Sequence, residues 1–124
     1  MDLRIAAPLL IGSLCLTPAG ARLAPPADAP ASALSGGAPE PSTDIVNAAI
    51  AHARSAFAQG PDVIIGIGGG SNLDVSKVTG VVLAHGGTPF DYFGEYKVPG
   101  PIAPVIAVPT TAGTGSEVGR AGVI

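Results

Sequence analysis

Apolar residues recur along this chain in two rhythms, and each change of rhythm marks an element. Val46, Ile50, Ala53 and Phe57 fall at i, i+4, i+7 and i+11, the spacing of one helix face. Ser42 or Thr43 can cap that helix, which is expected to begin at Asp44, where a carboxylate suits the positive end of the dipole. Gly60-Pro61 stops it. Over 63–67 the pattern becomes a continuous branched run, Val-Ile-Ile-Gly-Ile, as in a parallel strand covered on both faces. A second helix comes next, capped by Ser71 or Asn72, with Leu73, Val78, Val81 and Val82 toward the core and Gly86-Gly87 at its end. The connection 88–104 carries Phe90, Tyr92, Phe93 and Tyr96, and another branched run at 105–108 predicts a second strand, ended by Pro109.

Elements alternating in this way predict an α/β fold, a parallel sheet with helices on its faces. Ligands of such sheets lie beyond the carboxyl ends of the strands, and each predicted strand ends in a glycine-rich loop. The closing residues, GRAGVI, read as the start of a further strand. Two strands and two helices would leave the apolar face of 63–67 uncovered, so little cooperative unfolding is expected of such a unit alone.

Composition divides the chain. Its 124 residues are enough for about one domain, yet the 13 prolines crowd toward the first third and argue against regular structure there. Residues 1–38 therefore read as a low-complexity Ala/Pro-rich segment, signal-like or out of frame with the domain, and residues 39–124 as a partial dinucleotide-binding domain. Arg4, the apolar stretch 5–16 and Ala19-Gly20-Ala21 have the order of a secretory leader, although Pro8 interrupts the apolar stretch. That stretch is too short to span a bilayer, so no membrane partner is expected. A net charge of −3 without a basic cluster excludes a nucleic-acid partner. The single cysteine, Cys15, excludes an internal disulfide framework and lies outside the patterned region.

The loops carry the chemistry. Gly68, Gly69 and Gly70 have no side chain to keep a ligand from the peptide N–H groups, and the helix after them offers unpaired donors with about half an elementary charge. That is a phosphate seat. Neither common fingerprint applies: G-x-G-x-x-G would need glycine where Ser71 stands, and Lys77 is misplaced for a Walker loop. Asp74 and Lys77, at i and i+3, are spaced for a local ion pair on the helix surface beside the seat. In the second loop, Thr110, Thr111 and Thr114 can donate to and accept from a ribose, an amide or a phosphate without blocking a flat ring. Glu117 is read mainly as a cap for the next segment of chain.

Taken together, GGGSNLDVSK and PTTAGTGSE at this separation resemble the N-terminal nucleotide-binding domain of the iron-containing (group III, metal-dependent) alcohol dehydrogenases, over residues 39–118. The resemblance implies a partial Rossmann-like parallel sheet with flanking helices. It also implies an NAD- or NADP-dependent oxidoreductase moving a hydride between nicotinamide and a small alcohol, aldehyde or ketone, with iron or zinc polarising the oxygen. By the same resemblance, Gly68, Gly69, Gly70 and Ser71 would hold the pyrophosphate and Asp74 would lie at the nicotinamide end. Thr110, Thr111 and Thr114 would contact the cofactor and Lys77 would support the site. Relatives of this kind would be cytoplasmic or organellar and can be homo-oligomers.

Against that pattern, the sequence shows no counterpart of the family's helical metal-binding C-terminal domain, and residues 1–38 show no strand-helix-strand opening. His52 and His85 lack the family's Asp-x-x-x-His spacing, so no metal ligand or catalytic residue is assigned. Three readings stand: a piece of a working dehydrogenase, inactive alone; a truncated nucleotide-binding remnant; and, if residues 1–21 are a leader, a secreted binding module. Glycerol dehydrogenases and dehydroquinate synthases share looser versions of the first motif.

Overall fold

The computed structural model describes residues 5–8, 31–35 and 40–124. Four strands, β1 (Ile5–Pro8), β2 (Ala31–Leu34), β3 (Val63–Gly68) and β4 (Val105–Pro109), form one sheet in the order β2-β1-β3-β4, with every pairing parallel. Helix α1 (Thr43–Ala56) leads from β2 to β3, helix α2 (Gly70–His85) succeeds β3, and a short 3-10 turn, Pro89–Tyr92, precedes β4. The chain steps from β1 to β2 on one side, then returns past β1 to lay β3 and β4 on the other. That reversal makes the β1/β3 boundary a switch point, where open α/β sheets form their ligand crevice.

β1 and β2 correct the expectation that residues 1–38 contribute no strand. IAAP and ASAL are rich in alanine, which is depleted in strands, so nothing local announces them. Their strand character comes from their partners: Ile5 pairs with Val63 on one side and Ala31 on the other. β2 is also tied to α1, where Ser32 Oγ and His52 Nε2 are 2.6 Å apart. The leader-like cleavage site Ala19-Gly20-Ala21 and Cys15 lie outside the described residues.

Helix α1 buries the face its spacing predicts: Val46, Ala49, Ile50 and Ala53, with Phe57 buried just beyond its end. These pack with Val75 and Val82 of α2, and Leu34 of β2 joins them. Residues of β3 alternate. Ile64 and Gly66 meet α2, while Val63 and Ile65 are buried on the opposite face, beside Ile67 and Ile106. The face of 63–67 expected to be bare is therefore covered.

Helix α2 departs from a one-faced helix. Leu73 and Val82 are buried as expected, but Val78 and Val81 are only half-buried, while Asp74, Ser76, Thr79 and Gly80 are buried. The cause is close approach to the sheet. A Cβ on Gly66 would lie 2.9 Å from Ser76 Cβ, and one on Gly80 would lie 3.2 Å from Ile64 Cδ1 and Ile102 Cδ1. Small residues at those points let α2 sink until its polar side chains are enclosed. The last residues, 119–124, form no strand.

Beyond α2, Tyr92 Oη donates to Gly86 O at 2.9 Å, and Asp91 Oδ2 accepts from Thr88 N at 2.7 Å and Thr88 Oγ1 at 3.0 Å. The Thr88 backbone N–H, then its hydroxyl, hold the Asp91 carboxyl below its ordinary pKa.

This packing makes two predictions. Gly66→Ala drives a Cβ onto one fixed to a helix backbone, so it should lower unfolding free energy in urea by about 1–3 kcal/mol. Adding Ser76→Gly should recover part of that loss; an unchanged midpoint for Gly66→Ala would show that α2 is not seated on β3 this way. In a carbon-13 NMR titration, Asp91 should titrate below an ordinary aspartate. Because its folded pKa is depressed, its contribution to stability is present above the unfolded value and is lost as pH falls through the folded one. Asp91→Asn should remove that acid-side dependence, and a normal titration midpoint for Asp91 would refute the assignment.

Candidate functional site

β3 and β4 are in register from Ile64 opposite Val105 to Gly68 opposite Pro109. Their loops leave the sheet at one level, and Thr110 N donates to Gly68 O at 2.8 Å, extending the ladder past the strand end. The two glycine-rich loops read from the sequence are thus brought together.

Each glycine of the first loop has a distinct reason. Gly68 has φ +148°, and a Cβ there would meet Asn72 Cβ at 2.9 Å, so only glycine turns from strand to helix at this point. A Cβ on Gly69 would lie 3.3 Å from Thr111 Oγ1; one on Gly70 would lie 2.9 Å from Ser116 Oγ and 3.1 Å from Thr114 Cβ. The bare backbone of one loop lies directly against the hydroxyls of the other.

Helix α2 begins at Gly70 with Gly69 as its N-cap, which corrects the expected capping by Ser71 or Asn72: both sit inside the first turn. No side chain caps this helix start, and its first turn holds no acidic residue. Its positive end therefore meets an exposed rim of Thr110, Thr111 and Thr114, with Ser71 and Ser116 half-buried beside it. Amide donors at a helix start next to hydroxyls that both donate and accept are suited to a phosphate and a sugar. The bareness that lets the loops touch also fits a dinucleotide, since a Cβ on Gly69 or Gly70 would enter the same space.

Asp74 and Lys77 form the ion pair their spacing predicts, Nζ to Oδ1 2.7 Å, but not on an open surface. Asp74 is buried, its Oδ2 accepts from Val123 N at 3.2 Å, and Oδ1 has the charge contact without an aligned hydrogen bond. Lys77 Nζ also donates to Ser116 O at 3.0 Å, to Gly119 O at 3.3 Å and to Ala121 O. The pair thus clamps segment 116–123 onto α2. Sequence spacing found the pair but not the clamp, because no pattern in GRAGVI announces that it folds back over Asp74.

Ser116 and Asn72 were not singled out as ligand contacts from the sequence. Ser116 faces Gly70, and Asn72 packs under Gly68 with Nδ2 3.5 Å from Ile67 O. Their place inside the two motifs was the available signal. Glu117 is exposed and caps no helix; Gly115 O instead accepts from Val118 N and Gly119 N. His52 lies against Ser32, and His85 Nε2 is 3.2 Å from Gly100 O. Among the described residues, no three His, Cys, Asp or Glu side chains stand together as a metal site, and no helix is long and apolar enough to cross a membrane.

Comparison with known proteins agrees with this geometry. A family model described as iron-containing alcohol dehydrogenase matches residues 19–124, a longer span than the 39–118 read from the motifs. The chain is similar to sulfoacetaldehyde reductase of Bilophila wadsworthia, 49% identical over 78 residues, which cover 63% of this chain and 19% of that protein. Its likeness to NAD-dependent methanol dehydrogenase of Bacillus methanolicus is 52% over 56 residues, 45% of this chain and 15% of that one. Among solved structures, sulfoacetaldehyde reductase from Bifidobacterium kashiwanohense in complex with NAD+ superposes with a TM-score of 0.63 at 35% identity, covering 73% of this chain and 24% of that chain. The chain thus spans about a fifth of the length of the curated relatives it matches. With the family model covering both glycine-rich loops and most of the sheet, the chain belongs to the iron-containing alcohol dehydrogenase family.

Proposed function

We propose that this chain holds the dinucleotide of an NAD- or NADP-dependent oxidoreductase that moves a hydride between the cofactor and a small alcohol, aldehyde or ketone. The observation that carries this reading is the meeting of Gly69 and Gly70 with Thr111, Thr114 and Ser116 at an uncapped helix start. A relative named as NAD-dependent and a neighbour solved with NAD+ support it.

The division of labour comes from the geometry. Gly68, Gly69, Gly70 and Ser71 would hold the pyrophosphate on the amides of the α2 start, and Thr110, Thr111 and Thr114 would orient the adjoining sugars. Asp74 and Lys77 would act as positioning residues, keeping the second loop against the first through Ser116. When bound, the dinucleotide supplies the ring that accepts or gives the hydride; this chain's part is to seat and aim it.

The iron in the family's name does not fit the described histidines, since His52 is engaged by Ser32 and His85 faces Gly100 O. No step is derived through a metal. The chain by itself is accordingly proposed to bind cofactor without turning over alcohol. A cytoplasmic or organellar place is proposed over a secreted one, because cleavage near Ala21 would remove β1 from between β2 and β3.

Thr111→Val with Thr114→Val keeps the loop shape and deletes two hydroxyls. Calorimetric affinity for NAD+ should fall about 3- to 30-fold, from net hydrogen-bond contributions near 1 kcal/mol each; wild-type affinity would remove these threonines from the site. Lys77→Met leaves a buried carboxylate without its cation and should cost about 3 kcal/mol of stability as well as affinity, with Asp74→Asn in the same chain restoring part of the stability. Equal stability of Lys77→Met and wild type would rule out the clamp.

A further inference from the structure

β2 brings a third carboxyl end to the ligand edge of the sheet. Leu34 lies opposite Pro8, and Ile5 of β1 lies opposite Val63. Continuing those registers puts Pro8 level with Gly66, and Ser35, the first residue past β2, level with Ile67, one residue short of the glycine loop. Laterally, β2 stands two strand spacings from β3, about 10 Å. The hydrogen bond between Ser32 and His52, with Leu34 against the α1/α2 cluster, holds it there. A dinucleotide with its pyrophosphate on residues 68–71 can lay one nucleoside across that span, with its ribose over the end of β2.

In dinucleotide-binding α/β sheets, an acidic residue past the second strand accepts from the adenosine ribose 2′-hydroxyl, and a nearby arginine takes its place where the 2′ position carries phosphate. This chain has neither. It leaves β2 as Ser35-Gly36-Gly37-Ala38-Pro39, and Ser35 is exposed. The first carboxylate is Glu40, exposed on the run into α1, and the sequence has no Lys or Arg between Leu34 and Arg54.

We propose that the end of β2, with Ser35 where such a sheet places its ribose-reading acid, leaves the 2′ position unselected, so that the chain accepts NADP as well as NAD. This rests on the reading that the paired loops seat a dinucleotide. A serine hydroxyl can donate to a 2′-hydroxyl or to a 2′-phosphate, and no carboxylate beside it repels the phosphate. The lack of a basic partner limits any advantage to NADP.

The test is calorimetric titration of the chain, wild type and Ser35→Asp, with NAD+ and with NADP+. Wild-type dissociation constants should agree within about tenfold, and Ser35→Asp should weaken NADP+ relative to NAD+ by more than about tenfold, because like charges then face each other. Wild type that binds NAD+ but takes NADP+ more than about a hundredfold more weakly would overturn the proposal; loss of that preference in Glu40→Gln would then assign the selection to Glu40. A Ser35→Asp variant that shifts both cofactors equally would also overturn it, by removing Ser35 from the ribose. Binding of neither cofactor to the wild type would overturn the dinucleotide seat itself.

Discussion

The parallel pairing of β3 with β4 is the constraint on which the rest depends. Its register, carried one bond further by Thr110 N to Gly68 O, decides that a loop ending near residue 71 and a loop beginning at residue 110 occupy one place. A parallel pair needs a crossover long enough to return the chain to the same edge, and α2 with the 88–104 connection supplies it. Gly69 and Gly70 then serve two ends with one property. Lacking side chains, they let the threonine hydroxyls approach, and they leave amide donors of the α2 start uncovered.

That arrangement needs α2 to lie close to the sheet, and the same closeness accounts for its polar burial. Gly66 opposite Ser76 and Gly80 opposite Ile64 draw the helix down until Asp74 and Thr79 are enclosed. A buried carboxylate is costly without a partner. Lys77 and the Val123 amide provide partners, and Lys77 in turn fixes the carbonyls of Ser116, Gly119 and Ala121. The second loop is thus held from two sides, by the β ladder where it begins and by the lysine where it ends.

Much of this could be read from the sequence where the physics is local. The spacing of Val46, Ile50, Ala53 and Phe57 gave α1 its buried face, the branched runs gave β3 and β4, and the ordering of elements placed both loops on one edge. Strands β1 and β2 were not legible, because IAAP and ASAL carry no strand signal of their own and pair only because neighbours offer a ladder. The glycine N-cap of α2 was missed for a related reason: Ser71 and Asn72 are better caps in isolation, but Gly68 and Gly69 are what the turn can accommodate. The burial of Asp74 depends on segment 119–123 folding back, a long-range contact with no periodic trace. Recovering β2 changed the functional reading most, since it returned to the sheet the strand end that faces a ribose.

The most direct measurement of the central claim is a two-dimensional amide NMR titration of the chain with NAD+. Two loops acting as one seat should shift together, with the largest changes at Gly69, Gly70 and Ser71 and at Thr110, Thr111 and Thr114, along one common binding curve. Shifts confined to one loop, or centred on the exposed aromatics Phe90, Phe93 and Tyr96, would contradict the account.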